Sequence, residues 1–134
     1  MIVVDTNILI YSLILCEKTA LAQNLRAHDA DWRVPDLCQH ETLNVLVNYQ
    51  RSGLLTLDQC QELLRRARAF MQVAQSELDL SQALHVAAQL RLTGYDAQYL
   101  VLAQTLDVPL ITEDRKLRNA APGLALSMNE FLAR

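Results

Sequence analysis

Ile2, Val3 and Val4 form an unbroken β-branched run that ends abruptly on Asp5, and this junction constrains the fold more than any other stretch. β-branched residues without polar alternation describe a strand buried on both faces, the pattern of a parallel sheet covered by helices. A carboxylate at the end of such a strand needs partners, because burying it alone is costly or simply neutralises it. In open α/β sheets the carboxyl ends of the strands border the crevice where ligands sit. Asp5 is therefore a candidate site residue, and the rest of the chain is read for what else reaches that edge.

The rest of the chain alternates between helical and extended patterns. Thr19 to His28 carries Leu21, Ala22 and Leu25 at helical spacing, and residues 29–31 read as a polar turn. Trp32 to Pro35 is extended, since a residue before proline is pushed out of the α region. Asp36 is positioned to cap a helix from Leu37 to about Arg51, where Ser52-Gly53 stops it. Leu54 to Asp58 leads into a second long helix through Met71, followed by a short strand over Gln72 to Ala74. Asp79 or Ser81 opens a helix through Leu92, which Thr93-Gly94 ends. Helical spacing resumes from Asp96 to about Leu106, with Tyr99, Leu102, Ala103 and Leu106 aligned as core. Val108 to Thr112 is a second clear strand, and Leu124 to Leu126 is a last, edge strand. Strands alternating with helices predict a single α/β domain over residues 1–134, with a mostly parallel sheet covered on both faces.

Composition narrows the function. No apolar run is long enough to span a bilayer, so no membrane partner is expected. The N-terminus has no basic residues ahead of a continuous apolar segment, so no signal peptide is expected and the expected location is cytoplasmic. Cys16, Cys38 and Cys60 are odd in number and widely spaced, which fits reduced thiols and neither a disulfide framework nor a zinc site. The formal net charge of −3 runs against a broadly basic nucleic-acid-binding surface.

Four carboxylates stand where a purely structural role explains them poorly. Asp5 and Asp114 each follow an apolar strand, so both belong at the same sheet edge. Glu41 lies one turn into the helix entered from Val34-Pro35. Asp96 opens the helix through Leu106, whose free N–H groups favour an anion. Helix starts that follow strands face the same crevice, so the four acids converge there. Converging carboxylates raise one another's pKa unless a cation neutralises them, and an all-oxygen donor set suits Mg²⁺ or Mn²⁺. Such sites carry out phosphoryl or phosphodiester chemistry. With these four acids set apart, the rest of the chain is near neutral and not hostile to a phosphate backbone. The Arg65, Arg66 and Arg68 group reads mainly as a solvated face. His28, His40 and His85 read as surface or half-buried residues, His40 being about 100° round its helix from Glu41.

The segments Val4-Asp5-Thr6-Asn7, Pro35 with Glu41, Tyr95-Asp96-Ala97-Gln98-Tyr99-Leu100 and Leu110-Ile111-Thr112-Glu113-Asp114-Arg115-Lys116-Leu117 together resemble the PIN domain, in particular the small VapC-type toxins of bacterial toxin–antitoxin pairs. The resemblance spans essentially the whole chain, in order. It implies a parallel sheet of about five strands sandwiched by helices, and a metal-dependent endoribonuclease in which Asp5, Glu41, Asp96 and Asp114 surround Mg²⁺ or Mn²⁺. Thr112 would hydrogen-bond within the site and Asn7 would orient Asp5. The implied partners are an RNA substrate such as a tRNA or rRNA loop, a cognate antitoxin laid across the site, and a second copy of the chain in a homodimer. Glu113 adds a fifth acid, but neighbours on an extended segment point opposite ways, so it is left outside the metal site.

Two other readings compete. A catalytically silent module of the same fold would bind a partner and make no use of the acids. An aspartyl-phosphate receiver or haloacid-dehalogenase-type phosphatase would use Asp5 as a nucleophile. The latter needs an acid where Asn7 stands, and the former needs an acidic pair before the phosphoacceptor and a lysine nearer Ile111 than Lys116. Neither explains Glu41 and Asp96.

Overall fold

The computed structural model of the chain describes residues 1–74 and 78–134. Five strands form one sheet: β1 (Ile2–Val4), β2 (Trp32–Pro35), β3 (Met71–Ala74), β4 (Leu110–Ile111) and β5 (Ala125–Leu126). Every pairing is parallel and the spatial order is β3-β2-β1-β4-β5. Side chains alternate faces along a strand, yet Ile2, Val3 and Val4 are all buried. Helices therefore cover both faces of the central strand, as the β-branched run requires.

Among the described residues eight helices surround this sheet: α1 (Thr6–Leu13), α2 (Thr19–His28), α3 (Leu37–Arg51), α4 (Leu57–Phe70), α5 (Leu80–Leu90), α6 (Gly94–Leu106), α7 (Arg115–Ala120) and α8 (Met128–Leu132). Helix α6 buries Ala97 and the whole run Tyr99–Ala103, and it packs against β1, β2 and β4. A helix apolar around most of its circumference has no solvent face to spare, which makes α6 the central support of the sheet. Leu9, Leu25, Trp32 and Leu110, with Leu100 and Leu102 of α6 itself, are among the fully buried residues of the core. No helix among the described residues is long and apolar enough to cross a membrane.

Several boundaries differ from the sequence reading. Asp36 holds the N-cap position of α3 as read, but its side chain makes no capping bond: its backbone is already helical, and its carboxylate accepts from the Gln39 side-chain amide at 2.9 Å instead. Gly94 does not terminate α5. Arg91 does so in a left-handed conformation (φ 57°), while Gly94 is the first residue of α6. Thr93 is the cap of α6, and Asp96 sits in its first turn with its N–H donated to the Thr93 hydroxyl at 3.1 Å. A threonine at an N-cap competes with a following glycine as a boundary signal, and here the side-chain hydrogen bond prevails. Met71 belongs to β3 and not to α4. The charged run after β4 and the tail after β5 form α7 and α8, both too short to show helical periodicity in the sequence.

Candidate active site

Going from β1 to β2 to β3 the chain moves outward on one side of β1, and β4 returns to its other side. The sheet therefore changes direction between β1 and β4, where the carboxyl ends of two parallel strands leave a crevice between diverging connections. Asp5 follows β1 directly and is the N-cap of α1: its Oδ1 accepts the Ile8 N–H at 3.1 Å. The Thr112 hydroxyl, just past β4, donates to Asp5 Oδ2. The same Thr112 oxygen accepts the Asp114 N–H at 3.1 Å. Asp114 in turn caps α7 by accepting the Lys116 N–H at 2.8 Å. Thr112 thus links the ends of two neighbouring strands and fixes Asp5 relative to the turn that carries Asp114.

Glu41 reaches the crevice from α3 and Asp96 from the first turn of α6. Glu41 Oε1 accepts from the Tyr99 phenol at 2.6 Å and lies 2.9 Å from the Thr6 hydroxyl, which is itself 2.8 Å from the phenol. Thr6 also approaches the buried Cys38 sulfur at 3.4 Å. Asp5, Glu41, Asp96 and Asp114 line one cleft of about 260 Å³, together with Thr6, Asn7, Asn44, Val45, Tyr99 and Leu117. Among the described residues, two hollows of about twice that volume lie elsewhere. One of about 540 Å³ borders β3. The other, of about 610 Å³, is lined largely by Leu13, Ile14, Leu15, Leu55 and Leu63.

The electrostatics of the cleft are those of crowded acids. Burial pushes the Asp5 carboxyl up from 3.8 to about 6, against the pull of the Thr112 hydroxyl and the Ile8 N–H, and the Asp114 and Glu41 charges add to the rise. Burial likewise raises Asp96, again reinforced by Asp114 and Glu41 and opposed by Lys116. Burial raises the Tyr99 phenol far above its ordinary value, so it remains a protonated donor at every physiological pH. The Cys38 thiol is also raised by burial, which leaves it an unreactive neutral group.

The remaining sequence candidates fall as follows. Asn7 is exposed on the wall of the cleft, and among the described hydrogen bonds none joins its side chain to Asp5. Glu113 points out of the cleft: it pairs with Lys18 at 3.2 Å and accepts the Met128 N–H at 3.0 Å. Arg65, Arg66 and Arg68 are exposed on α4, away from the cleft lining, and Arg65 pairs with Glu62. His40 stands 3.4 Å from Asp36, His28 packs its ring edge-on to Phe131, and His85 is exposed. The sequence reading missed Thr6 and Tyr99 as site residues. Tyr99 sits in the buried stripe of α6, and only its hydroxyl, one turn beyond Asp96, hinted at more than packing.

Among the described residues no group of three or more His, Cys, Asp or Glu side chains is set close enough to hold a metal ion as it stands. The donor chemistry nevertheless suits a hard cation. The lining acids offer only oxygen ligands, and two of them are driven towards protonation by burial and by their neighbours' charge. A divalent ion would relieve that repulsion.

A family model described as PIN domain matches residues 2–122. The chain is 28% identical over 126 residues to Ribonuclease VapC3 of Pyrobaculum aerophilum, an alignment covering 92% of this chain and 96% of that protein. Among solved structures it is similar to PAE2754 from Pyrobaculum aerophilum, with a TM-score of 0.79, 25% identity, and coverage of 99% of this chain and 94% of that one. A toxin–antitoxin complex from Klebsiella pneumoniae contains a chain with a TM-score of 0.70 at 24% identity, covering 96% and 98%. VapBC2 from Rickettsia felis, bound to a promoter DNA fragment, gives 0.65 at 14% identity, covering 95% and 98%; at such identities the likeness is one of fold.

Proposed function

The chain belongs to the PIN domain family, and from that premise we propose that it is a divalent-metal-dependent endoribonuclease, the toxin of a VapC-type toxin–antitoxin pair. The observation that carries this reading is the gathering of Asp5, Glu41, Asp96 and Asp114, from four separate elements, around one cleft at the carboxyl edge of the sheet. Its relative in Pyrobaculum aerophilum is named a ribonuclease, and the Klebsiella pneumoniae neighbour comes from a toxin–antitoxin complex.

Asp5, Glu41, Asp96 and Asp114 would hold Mg²⁺ or Mn²⁺, which supplies charge neutralisation and polarises the scissile phosphate. The chain's own residues do the rest. Thr112 and the Ile8 N–H keep Asp5 in one orientation, so its alignment is set before substrate arrives. Cleavage is hydrolysis: the water oxygen bonds to phosphorus, the bond to the 3′ oxygen breaks, and the leaving oxygen takes a proton. The products are a 5′-phosphate and a 3′-hydroxyl. One of the carboxylates accepts the proton lost by water. The cleft is small and the surrounding charge low, so the substrate is a shaped, single-stranded element such as a tRNA or rRNA loop, read by fit and not by bulk charge. The exposed Leu15, Leu54 and Leu57, together with the leucine-lined hollow, support a protein partner; on this reading that partner is the antitoxin, and a homodimer completes the assembly.

The test is cleavage of total RNA by purified protein with Mg²⁺, with Mn²⁺ and with EDTA, beside Asp5→Asn and Asp96→Asn. Discrete fragments that vanish with EDTA and in both variants are expected, and their ends identify the target. Cleavage that survives both substitutions rules this site out.

A further inference from the structure

Among the described residues, Glu41 is the one acid of the cleft whose carboxylate is met by two hydroxyls from other elements. Three oxygens, from Glu41, Tyr99 and Thr6, lie within 2.9 Å of one another and share only two hydroxyl protons. A carboxylate only accepts, so in the 2.6 Å contact the phenol donates to Glu41 Oε1, while the Thr6 proton is directed to the same oxygen or to the Cys38 sulfur. Oε1 is thereby committed to the protein, and Oε2 is the oxygen without a partner among the described hydrogen bonds.

The grip is built from rigid parts. Tyr99 is held in the all-buried stretch of α6, and Thr6 is the first residue of α1, directly after the Asp5 cap. On the far side of Thr6, Cys38 sits on α3 three residues before Glu41, and Thr42 closes back on the Cys38 carbonyl at 2.7 Å. A side chain with three rotatable bonds would otherwise sample many orientations, and fixing it in advance removes that entropy from the binding step.

We infer that Tyr99 and Thr6 are positioning residues that clamp Glu41 through Oε1 and so present Oε2 to a divalent cation in the cleft. This inference rests on the proposed metal-dependent reading, and it assigns to α1 and α6 the task of shaping a ligand that belongs to α3. Second-layer partners of this kind set metal affinity by about ten- to a hundredfold when removed.

The experiment is Mn²⁺ binding without RNA, by electron paramagnetic resonance of free Mn²⁺, on wild type, Asp5→Asn, Tyr99→Phe, Thr6→Val and Thr6→Ser. Tyr99→Phe removes one oxygen and keeps the ring, so circular dichroism should match wild type. Its Kd for Mn²⁺ is expected to rise about tenfold, Thr6→Val to weaken binding in the same direction, and Thr6→Ser to stay close to wild type. In RNA cleavage at saturating substrate, Tyr99→Phe should lower kcat with KM unchanged, and raising Mn²⁺ should restore much of the loss. A Kd within twofold of wild type in both Tyr99→Phe and Thr6→Val overturns the clamp while wild-type binding, lost in Asp5→Asn, leaves the metal reading standing. Should Tyr99→Phe fail to fold, Thr6→Val carries the same decision. Absence of Mn²⁺ binding by wild type overturns both.

Discussion

The raised pKa of Asp5 predicts that Asp5→Asn makes the cation-free protein more stable. Moving this buried carboxyl from 3.8 to about 6 corresponds to about 3 kcal/mol of preference for the protonated form in the folded state. The sign follows from linkage: the folded chain holds the proton more tightly than the unfolded chain does. The cost is therefore absent below about pH 4, grows as pH rises, and is complete above about pH 6. Asparagine removes the charge and its amide oxygen still accepts the Ile8 N–H, while the Thr112 hydroxyl loses its carboxylate acceptor at a cost of about 1 kcal/mol. The net gain at pH 7.5 is about 2 kcal/mol, or ~8 °C in Tm for a domain of this size. Thermal unfolding in EDTA between pH 4 and 8 should show the variant above wild type at neutral pH and slightly below it near pH 4. Mg²⁺ should raise Tm for wild type and leave Asp5→Asn nearly unmoved. A variant less stable than wild type at pH 7.5 in EDTA, by an amount independent of pH, would refute the argument that crowded, buried charge strains this cleft.

Other substitutions separate the roles of neighbouring groups. Thr112→Val deprives Asp5 and the Asp114 N–H of their common partner; it should cost about 1–3 kcal/mol by urea denaturation and also lower cleavage. Glu113→Gln should lose up to about 1 kcal/mol from the Lys18 pair while its amide oxygen still accepts the Met128 N–H, and should leave the Mn²⁺ Kd unchanged; a tenfold weaker Kd would make the fifth acid a ligand after all. Thr56→Ala breaks the capping box of α4, at a cost of about 1 kcal/mol, and should leave RNA cleavage per folded molecule unaltered.

What was legible in the chain is what depends on near neighbours. The Ile2–Val4 run determined a doubly covered parallel strand, and Asp5 and Asp114 stood out as candidates because each follows an apolar strand, Asp5 directly and Asp114 three residues on. Glu41 and Asp96 were legible as acids near helix starts. Local rules failed where two signals competed, as at Thr93 and Gly94, or where a carboxylate found a better local partner, as Asp36 did with Gln39.

Only the tertiary structure decided which groups meet. The sheet order brings β4 beside β1, so the Thr112 hydroxyl donates to Asp5 across 107 positions of sequence. Tyr99 is placed in the core by a periodicity any aromatic residue would satisfy. Its hydroxyl meets Glu41 because α6 and α3 pack in one particular register, and no spacing along a single helix encodes that register. Periodicity is a property of one element, whereas a hydrogen bond between elements depends on how all of them pack at once. The acids were therefore readable as candidates, and the side chains that orient them were not.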